Sequence, residues 1–165
     1  MNPFRISLQL NPVGVVHTKA SVEEIKFDHE NLEACIEIFP QYSDGLDGLE
    51  GFSHIFVLGY FDKLRPEQLN VLKVRPIHLL KKGFMIEELP LVGVFALGSP
   101  SRPNPIGLSL VELLRVNSRF LSVRGLDYFD GTPVLDIKPY KTRYDIDAFH
   151  VPEWCAKLHT KAGDF

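Results

Sequence analysis

The chain has 165 residues, 45% of them hydrophobic and 24% charged, which is typical of a globular protein and excludes disordered and fibrous classes. Its net charge of -3 gives no overall attraction to nucleic acid, so any RNA site must be a local patch. Two distant cysteines, Cys35 and Cys155, fit free thiols in a reducing compartment. The N-terminal stretch "MNPFRISLQL" lacks the apolar run of a signal peptide, and no stretch is long enough to span a bilayer. We therefore expect a soluble, cytoplasmic protein with no membrane partner.

Several short stretches in the first half of the chain have the patterns of strands. The first are "PVGVVHT" (12–18) and "ACIEIFP" (34–40), in which apolar and polar residues alternate. The next, "HIFVLGYF" (54–61), is apolar on both faces, which favours a central strand. "PEQLNVL" (66–72) predicts a short helix with proline in its first turn. "LVGVFAL" (91–97) is predicted as another buried strand.

The second half of the chain continues this pattern. "SLVELLRV" (109–116) fits a helix or a strand, and the "NSR" turn with the alternating "FLSVRGL" (120–126) after it favours a hairpin. "TPVLDIKPY" (132–140) predicts one more strand, and "PEWCAKL" (152–158) predicts a helix that begins at a proline. About seven strands and two short helices predict a single, mainly β domain over residues 1–165, built as a barrel or a rolled sheet.

The stretch "SPSRPNPIGL" (99–108), which we call the proline shelf, contains three prolines. Proline fixes φ and donates no backbone hydrogen bond, and the residue before it is pushed to extended geometry. The shelf is therefore predicted to be neither helix nor central strand, and to hold Arg102 and Asn104 in fixed directions among free carbonyls. A positioned arginine binds a carboxylate, and asparagine with carbonyls holds an amino group or a purine edge. A loop made stiff only for stability is the alternative.

The stretch "GLDYFDGTPVLDIKPY" (125–140) carries three aspartates, Asp127, Asp130 and Asp136. A tight hairpin turn at Asp130–Gly131 explains part of this pattern, because Asp-Gly promotes such turns. A metal site would need more oxygen ligands than this spacing assures, and no histidine is near, so we expect no metal. A hydrolase that uses these aspartates is a further alternative.

Three blocks of the sequence, "FSHIFVL", "GVFALGSPSRPNPIGLSLVEL" and "LDYFDGTPVLDIKPY", resemble the TrmO-like family, formerly called TsaA or YaeB. The resemblance covers about residues 13–144 in order and leaves 145–165 as a C-terminal tail with a short helix. It implies a small β-barrel methyltransferase that uses S-adenosyl-L-methionine and works as a homodimer. It also implies a tRNA substrate, with N6-methylation of N6-threonylcarbamoyladenosine beside the anticodon.

The resemblance also implies which residues line the cofactor pocket. The matching positions here are Asp62, Lys63, Arg102, Asn104, Leu108, Asp127, Asp130, Gly131 and Thr132. In two places the chain departs from the family pattern. "ALGSP" places Leu97 and Gly98 where many members have Thr and Arg, and "KASVEEIKF" (19–27) differs from the A-P-R-Q loop that many members carry. Lys19, Lys63 and Arg75 are the candidates to replace the missing arginine.

Methyl transfer from a sulfonium requires the protein to align the accepting amine and to exclude water. We expect Asn104 and the shelf carbonyls to orient this amine, a carboxylate to take its proton, and Asp130 or Asp127 to support the reaction, with Asn104 and Asp130 as the catalytic residues. Arg102 is expected to bind an anionic group of the cofactor or substrate. The alternative is a non-catalytic homologue that binds S-adenosyl-L-methionine or RNA.

Overall fold

The structure is a computed structural model that describes residues 7–162. Residues 1–6 of the N-terminal stretch and 163–165 of the predicted tail lie outside the described residues. The strands are β1 Gly14–His17, β2 Glu33–Ile38, β3 His54–Tyr60, β4 Lys73–Val74, β5 Val92–Gly93, β6 Ile106–Asn117, β7 Phe120–Arg124 and β8 Pro133–Pro139. The α-helices are α1 Val22–Asp28 and α2 Glu153–Ala162.

The chain forms two compact units. Met1–Tyr60 and Leu108–Pro139 make up the first, which we call the barrel unit. Phe61–Gly107 and Tyr140–Phe165 make up the second, which we call the turn unit because short 3-10 helices form much of it. The single domain over residues 1–165 stays a prediction.

In the barrel unit, six strands close into a barrel in the order β1-β2-β7-β6-β3-β8. Register pairs place apolar residues opposite each other, with Val16 opposite Ile36 and Ile36 opposite Leu121. These three side chains are fully buried, because alternate residues of each strand face the interior. The predicted fold class, a mainly β fold with a small barrel and a few short helices, is confirmed.

The strands predicted in the barrel unit are also confirmed. The ambiguous stretch 109–116 lies within β6, which forms a hairpin with β7. The turn between them has Ser118 at φ 54, a left-handed conformation that suits a tight connection. Helix α1 was not predicted from the sequence. It begins at Ser21, whose hydroxyl accepts from the backbone N–H of Glu24, while the Glu24 carboxylate accepts from the Ser21 N–H.

The turn unit has a small apolar core, in which Trp154 packs beside four buried residues, Leu79, Phe84, Leu89 and Leu158. The helix predicted near the end of the chain is confirmed as α2, directly after Pro152. The helix predicted over 66–72 is present only as one 3-10 turn at Pro66–Gln68.

The buried strand predicted over residues 91–97 is wrong. Only Val92–Gly93 pair, with the two residues of β4, and Val94–Ala96 then turn into a 3-10 helix. Val94 is buried, whereas Leu91 is 54% exposed and Phe95 is 83% exposed. A continuous apolar run does not distinguish a strand from a turn. Here the short partner strand ends the pairing after two residues.

Candidate functional site

Four candidate residues of the barrel unit, Asp127, Asp130, Gly131 and Thr132, lie in the segment between β7 and β8. One carboxylate oxygen of Asp130, Oδ1, accepts a hydrogen bond from the backbone N–H of Thr18 at 3.0 Å. The next residue, Gly131, has φ 77 and donates its N–H to the carbonyl of Val16 at 2.8 Å. The segment is thus bound to the end of β1. The predicted hairpin at Asp130–Gly131 is wrong, because β7 and β8 are not neighbours in the barrel.

Asp127 presents an exposed carboxylate that the barrel holds from one side. The hydroxyl of Ser109, on β6, donates to its Oδ1 at 2.5 Å. Among the described residues, the other oxygen of Asp127 accepts no hydrogen bond. The carboxylate therefore has a fixed position and one oxygen available to a ligand.

The residue after Asp127 anchors the segment in the barrel. Tyr128 is 1% exposed, and its hydroxyl donates to the carbonyl of Val57 at 2.8 Å. Its ring lies against Gly59, where an added Cβ would be 2.4 Å from Cε2 of the ring. Burial raises the pKa of Tyr128 to about 12, because the interior disfavours the phenolate. The buried ring therefore anchors the backbone next to Asp127 in the barrel.

Two other predicted residues differ sharply in exposure. Thr132 is 3% exposed, its N–H donates to the carbonyl of Phe129, and its carbonyl accepts from the N–H of Val16. Its polar backbone groups are thus used within the barrel unit. Leu108 is 67% exposed near the start of β6, where an apolar surface is accessible. A cofactor contact of either residue stays a prediction.

The proline shelf is irregular from Ser99 to Pro105, and its last three residues, 106–108, are the first residues of β6. The prediction that the whole shelf is neither helix nor central strand is therefore wrong for these three residues, which follow the last proline and are free to pair. The half-buried guanidinium of Arg102 donates from Nε to the carbonyl of Ser99 at 2.8 Å. Its Nη2 donates to the carbonyls of Val94, at 3.2 Å, and Leu97. Arg102 is therefore held in a fixed direction, as predicted, and its Nη1 has no hydrogen bond to the described residues.

The other predicted residues of the turn unit are exposed. The side-chain amide of Asn104 has no hydrogen bond within the described part of the chain. The carbonyl of Pro105 accepts from the N–H of Phe61 at 2.9 Å, which places the exposed Asp62–Lys63 turn directly after a residue bound to the shelf. The structure thus groups Asn104 with this turn, and it groups Asp127 and Asp130 separately within the barrel unit.

Two contributors were missed at the sequence level. Ser109 and Tyr128 both act on Asp127, and only their positions beside the shelf and beside Asp127 hinted at this.

Of the candidates to replace the missing arginine, Arg75 donates to the carbonyl of Leu89 within its own unit. Within residues 7–162 no group of three or more His, Cys, Asp or Glu side chains is arranged to hold a metal ion. A search of the same residues finds no helix with the length and apolar character to cross a membrane.

Comparison with known proteins identifies the family. A probable S-adenosyl-L-methionine-binding protein of Methanothermobacter thermautotrophicus is 45% identical over 87% of this chain and 96% of its own length. The tRNA (adenine(37)-N6)-methyltransferase of Mus musculus is 38% identical over 68% of this chain and 25% of its own length. A crystal structure of TrmO, 30% identical, superposes with a TM-score of 0.67 over 90% of this chain and 64% of that one. Since residues 15–146 match the tRNA-methyltransferase O N-terminal domain, the chain belongs to that family.

Proposed function

We propose that the protein is an S-adenosyl-L-methionine-dependent tRNA methyltransferase, which acts in the cytoplasm on the N6 amine of N6-threonylcarbamoyladenosine beside the anticodon. The observation that carries this proposal is the family match over residues 15–146, which contains the proline shelf and the stretch 125–140 with its three aspartates. The murine relative supports the reaction, since its name specifies methyl transfer to N6 of an adenine in tRNA.

The chemistry of the exposed groups fits the cofactor. S-adenosyl-L-methionine carries an ammonium and a sulfonium, a carboxylate, ribose hydroxyls and an adenine ring. In the barrel unit, the held carboxylate of Asp127 is a suitable partner for an ammonium or for ribose hydroxyls. In the turn unit, Nη1 of Arg102 is a suitable donor to a carboxylate. Leu108 supplies an exposed apolar surface for the adenine. When bound, the cofactor supplies the electrophilic methyl group.

The chain's own residues then act on the accepting amine. Asn104 orients the amine through its side-chain oxygen, which no described residue occupies. Once methylated, the amine loses a proton, and Asp130 takes it on its carboxylate, which the Thr18 N–H holds in place. Positioning dominates this mechanism, because the leaving group belongs to the cofactor.

Calorimetry with S-adenosyl-L-methionine, followed by mass spectrometry of tRNA nucleosides from cells with and without the gene, tests the proposal. We expect binding and the gain of one methyl group on the threonylcarbamoylated nucleoside. Asn104→Ala should abolish methyl transfer while Asn70→Ala, a change of another exposed asparagine in the turn unit, leaves it intact. Absence of binding at millimolar cofactor would refute the proposal.

A non-catalytic homologue that binds S-adenosyl-L-methionine or RNA is the second candidate. Gly98 favours it, because the guanidinium that many family members have at this position is missing. The archaeal relative, of which this chain covers 96%, is also named only for binding the cofactor. Cofactor binding without any methylated nucleoside would identify this second function.

A homodimer fits the exposed face of β6. Ile106 and Leu110 are 37% and 46% exposed on the same face of this strand as Leu108, so the cofactor contact proposed for Leu108 puts the pocket next to the proposed interface. An exposed apolar strand face is stabilised when a second protein surface covers it. Light scattering of the protein with saturating cofactor should give the mass of a dimer, and a monomer would contradict this assignment.

A further inference from the structure

The two units differ in the sign of their charge. The turn unit contains eleven Lys and Arg against eight Asp and Glu, a net charge of +3. The barrel unit contains seven against thirteen, a net charge of -6. Since RNA binding depends on neutralising phosphates, the overall charge of -3 conceals one unit that attracts RNA and one that repels it.

The turn unit also presents an aromatic ring to solvent. Phe95 is 83% exposed, the largest exposed fraction among the large hydrophobic side chains that the structure describes. Its backbone is nevertheless fixed, because Arg102 donates to the carbonyls of Val94, the first residue of the 3-10 turn, and of Leu97, directly after it. An exposed phenylalanine on a braced turn can receive a flat ligand at little entropic cost.

The surface around this turn is open and carries a cation. A Cβ added at Gly93 or at Gly98 would meet no atom within 4 Å. Lys73 is exposed and pairs with Gly93, and the carbonyl of Leu72 accepts from the N–H of Val94 at 2.9 Å. The 3-10 turn Val94–Ala96, which carries Phe95, therefore follows the residue that pairs with an exposed lysine, and the Cβ positions of the glycines before and after it are open.

We propose that Phe95 is a stacking platform for an unpaired base of the RNA substrate, with Lys73 contacting a neighbouring phosphate. The assignment rests on the proposed function, from which the RNA substrate comes. Single-stranded bases bind proteins by stacking on aromatic rings next to cationic groups that follow the backbone. The anticodon loop provides such bases, and the net positive charge of the turn unit favours RNA over a second copy of this protein.

The test is fluorescence anisotropy of a labelled, unmodified anticodon stem–loop RNA titrated with the full chain over a range of salt concentrations. We expect Phe95→Ala to weaken binding on the order of tenfold, since base–aromatic stacking accounts for about that factor, and Phe95→Trp to restore it. Lys73→Gln should reduce the slope of log affinity against log salt by about one. Phe149→Ala is the matched control and should leave RNA affinity unchanged. Phe149 is 75% exposed in the same unit, but an acidic residue, Asp147, lies two positions before it in the sequence and repels phosphate.

Parallel measurements separate this inference from the proposed function. Equal RNA affinity of wild type and Phe95→Ala, or no RNA binding by a wild type that binds S-adenosyl-L-methionine, overturns the stacking platform. A Phe95→Ala variant that dissociates from dimer to monomer with unchanged RNA affinity would also overturn it and assign the ring to a second copy. A wild type that binds RNA through Phe95 but does not bind the cofactor would retain the platform and refute the methyltransferase.

Discussion

The barrel unit and the turn unit are stabilised in different ways. In the barrel, antiparallel pairing buries alternate residues such as Ile36 and Leu121 completely, so the hydrophobic pattern alone specifies the interior. The turn unit has one two-stranded ladder and several 3-10 helices. Arginine side chains donate hydrogen bonds to its backbone carbonyls. Arg75 donates to the carbonyl of Leu89, and Arg102 donates to the carbonyls of Val94, Leu97 and Ser99.

This difference shows how each unit fixes its candidate site residues. In the barrel unit, a hydroxyl holds Asp127 and a backbone N–H holds Asp130, so the strands position both carboxylates. In the turn unit, Arg102 is both a candidate ligand-binding group and the brace of its own loop. Substitutions at Ser109 or Asp127 should therefore change binding without changing stability, whereas substitution of Arg102 should change both together.

The largest expected effect belongs to the barrel and appears at alkaline pH. Burial raises the pKa of Tyr128 to about 12, whereas an unfolded tyrosine titrates near 10, so the unfolded chain releases this proton first. The stabilisation is present below pH ~10 and is lost as pH rises toward ~12, by about 3 kcal/mol in total. Urea unfolding of wild type and Tyr128→Phe across this range should show the extra loss only in wild type. If the free energy of unfolding falls equally for wild type and Tyr128→Phe over this pH range, the loss does not come from Tyr128.

In the turn unit, Arg102→Lys should lower the free energy of unfolding by about 2 kcal/mol. Lysine cannot reproduce the planar fork that reaches three carbonyls, and hydrogen bonds from charged groups contribute about this much. If Nη1 also binds an anion, cofactor or RNA affinity should fall at least about tenfold. Chemical denaturation and calorimetry measure the two effects. Arg115→Lys, at an exposed arginine of β6, is the control and should change neither quantity.

The sequence predicted the barrel because alternation is a local property of each strand. The stretch 34–40 placed Ile36 and Ile38 on one face, and both are buried in β2. Helix α1 was missed, although Ser21 and Glu24 have the spacing of a capping box. Elements whose side-chain periodicity matches their structure can be read from the sequence alone.

The turn unit and the details of the site could not be predicted in this way. The run over 91–97 has no polar side chain, so its pattern indicates neither the 3-10 turn Val94–Ala96 nor the exposure of Phe95. Likewise, Ser109 and Asp127 are 18 residues apart, and the closure of the barrel brings them within 2.5 Å. Such contacts depend on tertiary structure, which composition and spacing do not encode.

A smaller effect is expected from Ser109→Ala, which removes the hydroxyl that positions Asp127. Affinity for S-adenosyl-L-methionine should fall about tenfold, because the carboxylate loses a charge-assisted hydrogen bond and its fixed direction. Ser109→Thr should restore binding, and Ser122→Ala, at a half-buried serine of β7, should leave it unchanged. In an Asp127→Asn background the Ser109→Ala effect should disappear. An equal loss in both backgrounds would show that Ser109 acts independently of Asp127.

The smallest change in stability is expected from Gly98→Arg, which restores the side chain that many family members have at this position. An added Cβ there meets no atom within 4 Å, and Gly98 lies outside the left-handed region that requires glycine. The free energy of unfolding should therefore stay within about 1 kcal/mol of wild type, since replacing an unstrained glycine also restricts the unfolded chain. The new guanidinium adds a positive charge between the 3-10 turn that carries Phe95 and the proline shelf. Affinity for the cofactor or for the stem–loop RNA should therefore rise several-fold. Gly98→Gln, similar in length but uncharged, is the control. If calorimetry and anisotropy show no gain for arginine over glutamine, this chain does not use a cation at position 98, and its departure from the family pattern has no effect on either ligand.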